Sequence, residues 1–114
     1  MGVNMVEYSN FSNLDIRVGE ITEVSDFPDA HIPSYKLVVY FGNELGSKKS
    51  SAHITNYKKD ELIHKKVIGI VNFPPKQVGH FISEVLILGV VTDSRVKLLT
   101  ADGIEDIEVG SKIA

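Results

Sequence analysis

The sequence predicts an all-β fold, a small five-stranded antiparallel barrel with one short helix between its third and fourth strands. Three observations predict it. The apolar residues fall in short runs rich in Val, Ile, Tyr and Phe, the residues that suit a pleated, half-buried surface. Only one stretch, Asn56 to His64, has helical spacing. Pro and Gly punctuate the chain between the runs, at Phe27-Pro28-Asp29, Gly42-Asn43 and Pro74-Pro75. The 114 residues make a single domain.

The first strand runs from Ile16 to Val24. Ile16 and Val18 share a face, but Ile21 falls on the other parity. Gly19 at that slip predicts a bulge or sharp coil, the bend that lets one long strand serve both sides of a small barrel. Pro33-Ser34 closes the following loop, and Tyr35 to Phe41 is the second strand. Gly42-Asn43 and Gly46 make the next turn. Lys48 to Thr55 is a polar third strand whose apolar members, Ala52 and Ile54, share a face. In the helix, Leu62 and Ile63 supply the apolar contact, and Thr55 or Asn56 caps the start. Lys66 to Phe73 is the fourth strand, stopped by Pro74-Pro75. Ser83 to Thr92 is the fifth and Val96 to Leu99 a sixth. Val109 to Ile113 reads as a last turn and strand end. A helix between strands three and four of a five-stranded Greek-key barrel is the OB arrangement.

The fifth strand is apolar on both faces: Val85, Ile87, Gly89 and Val91 on one, Leu86, Leu88 and Val90 on the other. An antiparallel strand on a monomer's surface keeps one wet face. Something therefore covers each, the barrel core on one side and the C-terminal strand or a second subunit on the other. A homodimer is expected, with residues 1–10 as an N-terminal extension and about 93–114 as a C-terminal extension in dimer contact.

Composition bounds the chemistry. There is no Cys, so disulfides and thiolate metal sites are excluded, and a reducing, cytoplasmic setting is expected. No apolar run approaches the roughly 18 residues of a membrane helix. Met1 to Phe11 lacks the basic and apolar regions of a signal peptide. The net charge of −3 is uneven. Residues 36–76 carry eight lysines against Glu44, Asp60 and Glu61, a local +5 between acidic flanks. Such a face meets a polyanion with strong salt dependence, or is simply a solvated surface.

Catalytic patterns are absent. His31, His53, His64 and His80 form no metal-ligand pair, so no metal and no cofactor is expected. Ser51 and His53 share a strand face without a locatable orienting carboxylate, and no G-x-S-x-G elbow exists. Gly42-x-x-x-Gly46-Ser47-Lys48 has the wrong spacing for a phosphate loop and leads into a strand. The chain reads as a binding module, not an enzyme.

Phe11-x-x-Leu14-Asp15-Ile16-Arg17-Val18-Gly19-x-Ile21 resembles the opening of the tRNA-binding domain family. That family holds the appended domains of methionyl- and phenylalanyl-tRNA synthetases, stand-alone structure-specific tRNA-binding proteins and CsaA-type export chaperones, all OB folds. Phe27-Pro28-x-Ala30-x-x-Pro33-x-x-Lys36-Leu37, Lys49-Ser50-Ser51-Ala52-x-Ile54-Thr55, Asn72-Phe73-Pro74-Pro75, Phe81-x-Ser83-Glu84-Val85-Leu86-x-Leu88-Gly89 and Gly110-x-Lys112-Ile113 are similar to the CsaA pattern. Where the synthetase-type domains read Ser-Gly-Leu, Asn-Leu-Lys-Pro and Ser-x-Gly-Met, this chain reads Ser51-Ala52-His53, Asn72-Phe73-Pro74-Pro75 and Ser83-Glu84-Val85-Leu86. The second change loses a base and the third gains an acid.

The resemblance implies a dimer that holds unfolded or preprotein segments, with tRNA as the alternative ligand. OB barrels bind on strands two and three and the adjoining loops. Those segments supply Lys36, Lys48, Lys49, Ser50 and Ser51. If the family pattern holds, the turn from Asn72 to Lys76 and the stretch from Phe81 to Glu84 lie nearby, and together these residues make a rim of Lys, Ser and Asn around a floor of Phe73, Pro74, Pro75, Phe81 and Ile82. Such a floor accepts varied side chains, while Asn72 and the serines bond main chain. The same residues also have plainer uses: Phe73 and Phe81 as core, Asn72 as a partner for loop backbone.

Overall fold

The structure, a computed structural model, describes residues 4–93 and 95–114. Met1, Gly2 and Val3 of the expected N-terminal extension, and Ser94 of the C-terminal one, lie outside the described residues. The elements are α1 (Tyr8–Ser12), β1 (Ile16–Asp26), β2 (Tyr35–Tyr40), β3 (Ser47–Ala52), α2 (Lys59–Leu62), β4 (Lys66–Ile70), β5 (Lys76–Val78), β6 (Phe81–Ser83), β7 (Leu86–Ile87), β8 (Gly89–Thr92), β9 (Arg95–Leu98) and a 3-10 turn, Ile104–Asp106. Five strands form one antiparallel sheet in the order β3-β2-β1-β4-β7. It curls into a nearly closed barrel, the all-β OB architecture expected.

β1 serves both sides of the barrel as anticipated. Residues 16–20 pair with β4 and residues 20–26 with β2. The irregularity sits elsewhere than at Gly19. The register slips between Ile21 and Glu23, where the Thr22 hydroxyl donates to the Val38 carbonyl at 3.2 Å. Gly19 answers a different need, close approach. A Cβ there would lie 2.6 Å from Cε1 of Phe41 and 2.7 Å from Cγ1 of Val39.

Two apolar clusters hold the molecule. Ile21, Tyr35, Leu37, Val39, Phe41, Ile54, Leu62, Val67 and Val85 fill the barrel. Ile16, Ile68 and Ile70 lie in a second cluster, covered by Leu14, Leu88, Leu99 and Ile113. The C-terminal tail reaches that cluster because it pairs with the start of β1: Val18 N–H donates to Ser111 O at 3.0 Å and Ile113 N–H to Ile16 O at 2.9 Å.

The expected fifth strand, Ser83 to Thr92, is broken three ways. Its end, β8, leaves the barrel to pair with β9. Gly89 permits the departure, since a Cβ there would meet Val96 Cγ1 at 2.5 Å. Simple alternation therefore fails. Leu88 packs against the Ile16, Ile68 and Ile70 cluster, as Leu99 and Ile113 do, while Leu86, Val90 and Val91 stay exposed. The helix is also shorter than its spacing suggests. Glu61 accepts the Lys58 N–H at 2.7 Å at its start, in place of a Thr55 or Asn56 cap. His64, at φ 69°, ends it in the left-handed region. The hairpin β5–β6 and the short α1 carried no sequence signal strong enough to predict them.

Candidate ligand-binding face

The register of β1, β2 and β3 sets the side chains of the outer wall in rows. Leu37 and Val39 point into the barrel, so Lys36, Val38 and Tyr40 point out. Their partners follow: Ser25–Lys36–Ser51, Glu23–Val38–Lys49 and Glu20–Tyr40–Ser47. One further row, Ser34 and His53, continues beyond the strand ends. There the His53 Nδ1 lies 2.5 Å from the Ser34 hydroxyl. The anticipated Ser51–His53 proximity along β3 is thus superseded by a cross-strand Ser34–His53 bond.

Two aromatic rings edge this wall. Phe27, just after β1, packs on Phe81 of β6 with centroids 5.5 Å apart and planes at 59°. The Lys36 ammonium stands 5.7 Å over the Phe27 ring, and the Lys49 ammonium 5.7 Å over the Phe81 ring. Loop 27–34, β2, β3 and the β5–β6 hairpin thereby meet at one place.

Glu84 closes the barrel there. Its carboxylate accepts the Lys49 N–H at 2.9 Å, and its own N–H donates to the Lys49 carbonyl at 2.7 Å. Both main-chain groups of an edge-strand residue are satisfied by one partner. A ligand strand cannot run uninterrupted along the β3 edge.

The predicted site residues separate. Lys36, Lys49 and Ser51 lie on the outer wall, and Phe81 at its margin. Lys48 alternates to the inner side, opposite Val39. Ser50 is a correction: it is 1% exposed, opposite Leu37, and faces the core. Asn72 is occupied by the scaffold. Its carbonyl oxygen accepts the Asp15 N–H and its amide donates to the Asn13 carbonyl, both at 2.8 Å. Phe73 is 45% exposed, and Pro74, Pro75 and Lys76 are exposed beside it. Ser83 is half-buried, and its hydroxyl donates to Val85 O at 3.4 Å. Phe81 and Ile82 do not form one floor, because alternation along β6 sends them to opposite sides of the hairpin. Phe27, Ser34, Val38 and His53 belong to the face or its rim and were not among the expected binding residues. The β2–β3 register identifies Val38 and its extension Ser34 and His53, and packing on Phe81 identifies Phe27.

The Asp15-Ile16-Arg17 motif works in folding. Arg17, 9% exposed, donates from Nε to Asp15 at 2.6 Å and from Nη1 to Gly110 O at 3.0 Å. The hydrogen bond to Asp15 is the main cause raising its pKa above an arginine's ordinary value, against the opposing effect of burial. This clamp fixes the C-terminal tail to β1.

Among the described residues no group of His, Asp and Glu is arranged to hold a metal. No helix of the structure is long and apolar enough to cross a membrane. Two concavities lie away from the wall, one of about 420 Å³ between α1 and the tail and one of about 550 Å³ beside α2. The wall itself is open, a shape for an extended chain more than for an enclosed small molecule.

Residues 16–112 match the family model described as "Putative tRNA binding domain". The crystal structure of a CsaA chaperone protein from Picrophilus torridus superposes with a TM-score of 0.91 at 63% identity, over 96% of this chain and 100% of that one. The chain belongs to the tRNA-binding domain family, in its CsaA-type branch. A CsaA chaperone from Bacillus anthracis is similar at 41% identity and TM-score 0.87, over 97% of this chain and 100% of that one. The methionine–tRNA ligase of Nanoarchaeum equitans is 38% identical over 113 residues, 96% of this chain. This chain spans only 14% of that ligase. The matched family is one of binding domains, and the CsaA-type motifs now have positions: Phe27 and Phe81 form the aromatic pair, and Glu84 the closure.

Proposed function

We propose that this protein is a homodimeric, non-catalytic, cytoplasmic chaperone that holds unfolded or preprotein segments, in an export-related role, across the outer wall of β2 and β3. The observation that supports it best is the Phe27–Phe81 pair beneath Lys36 and Lys49. The two rings are packed on each other and overlaid by lysine, so this pair, unlike Tyr40 farther along the wall, offers a base no bare ring to stack on. What the wall does offer is hydrocarbon: Val38 and the lysine stems, with Ile32 exposed on the adjoining loop, and Ser51 and the ammonium groups for carbonyl oxygens. The Glu84 plug directs a ligand onto the wall instead of along the edge. Leu86, Val90 and Val91, at 49%, 50% and 79% exposure, are apolar side chains left open to solvent, and a second copy would cover some of them.

Binding of tRNA is the second reading, favoured by the family and by Lys36, Lys49 and Lys76. One experiment separates the two. Fluorescein-labelled, reduced and carboxymethylated lactalbumin, a permanently unfolded chain, is titrated with the protein, and bulk tRNA is added as competitor at low and moderate salt. Binding of the unfolded chain that survives moderate salt, with weak tRNA competition, is the expected result. No anisotropy change at stoichiometric excess, with a tRNA gel shift at low salt, would replace the chaperone reading with the RNA one.

A further inference from the structure

We propose that His53 is a positioning residue for this wall: its imidazole latches loop 27–34 so that the loop stands as a preset arm beside the binding surface. The inference rests on the wall being the binding site and adds a residue to it. Loop 27–34 joins β1 to β2 and carries Ile32, which is 57% exposed. Phe27 fastens one foot of the loop, buried against Phe81. Ser34 forms the other foot and is 5% exposed.

The Ser34 hydroxyl has a single proton, and it is donated to the Ile32 carbonyl at 2.8 Å. Only the oxygen's lone pairs remain for His53. The arrangement that makes both contacts hydrogen bonds puts a proton on Nδ1, 2.5 Å away, and has it donate. The pair thus forms a directed relay, from imidazole N–H to serine hydroxyl to Ile32 carbonyl. It ties the end of β3 to the loop residue that presents an apolar side chain. Tyr35 pairs with Ala52, so Ser34 and His53 extend that ladder by one step without main-chain strand pairing. The side-chain bond does there what the ladder does elsewhere. With both feet fixed, a client meets a loop already ordered, and less conformational entropy is lost on binding.

His53→Leu removes the donor and roughly keeps the volume. His53→Asn places an amide N–H close to the position of Nδ1. Two measurements are made on the full chain: amide exchange of the peptide covering 27–34, and affinity for carboxymethylated lactalbumin. In His53→Leu, exchange in the loop should rise about tenfold and affinity should fall roughly three- to tenfold, with the urea midpoint near that of wild type. His53→Asn should recover both. Unchanged loop exchange in His53→Leu would overturn the latch. A loosened loop with affinity within twofold of wild type would overturn the positioning role. Failure of His53→Asn to recover affinity would overturn the hydrogen-bond basis. If wild type itself does not bind lactalbumin, the reading of the wall fails, and the exchange data still decide whether the latch exists.

Discussion

Asn72 tests whether a polar residue of this turn serves the ligand or the fold. In the structure its amide bridges two segments, accepting the Asp15 N–H and donating to the Asn13 carbonyl, each at 2.8 Å. The bridge joins the end of β4 to the chain just before β1. Asn72→Ala removes both bonds. A net hydrogen bond contributes about 0.5–1.5 kcal/mol, and both orphaned groups keep access to water, so a loss of about 1–2 kcal/mol is expected. For a domain of this size that lowers Tm by about 4–10 °C. Urea unfolding followed by circular dichroism and tyrosine fluorescence, suited to a chain with four Tyr and no Trp, measures it. Protein concentration is held constant, because subunit association would add to apparent stability. At a temperature where the variant is folded, its affinity for unfolded lactalbumin should stay within twofold of wild type. Stability within 0.5 kcal/mol of wild type, together with a tenfold loss of affinity, would refute the scaffold role and return Asn72 to the ligand.

Gly19→Ala should destabilise by about 1–3 kcal/mol or more, because the added methyl overlaps the Phe41 ring and Val39 inside a filled barrel; urea denaturation reads it, and a neutral result would show that the core yields there. Glu84→Ala frees the Lys49 N–H and opens the β3 edge, so it should cost about 1–3 kcal/mol and raise light scattering on storage, with Glu84→Gln milder because the amide oxygen still accepts. In a pH scan of stability, Arg17 should contribute no step between pH 5 and 9. Its pKa is raised on folding, so its stabilisation is complete below an arginine's ordinary value and fades only as pH climbs beyond that.

Much of the candidate site could be read as segments but not as an arrangement. Lys36, Lys49 and Ser51 were legible with Lys48 as members of β2 and β3, and it is the strand register that separates the three on the outer face from Lys48. The burial of Ser50 was not legible, since a small polar residue in a polar strand carries no sign of it; its pairing with Leu37 decides that. Asn72 looked free to contact a ligand because its two partners lie 57 and 59 residues away in the chain. A shorter separation, 19 residues, hid the partner of His53: its nearest candidate along the strand was Ser51, while its real one, Ser34, comes from across the ladder.

Local chemistry, written in the order of residues, was enough to point to a small barrel, the succession of its elements along the chain, the helix between its halves and the lack of catalytic or metal-binding patterns. Alternation and proline act within a few residues, so a linear text conveys them. Tertiary structure alone decided where β1 bulges, how the fifth strand divides, that Glu84 seals the β3 edge, and that the Phe27 and Phe81 rings meet under two lysines. Each of those depends on which distant segments come into contact. Close approach, such as Phe41 against the bare face of Gly19, is a property of the packed barrel and of no segment by itself.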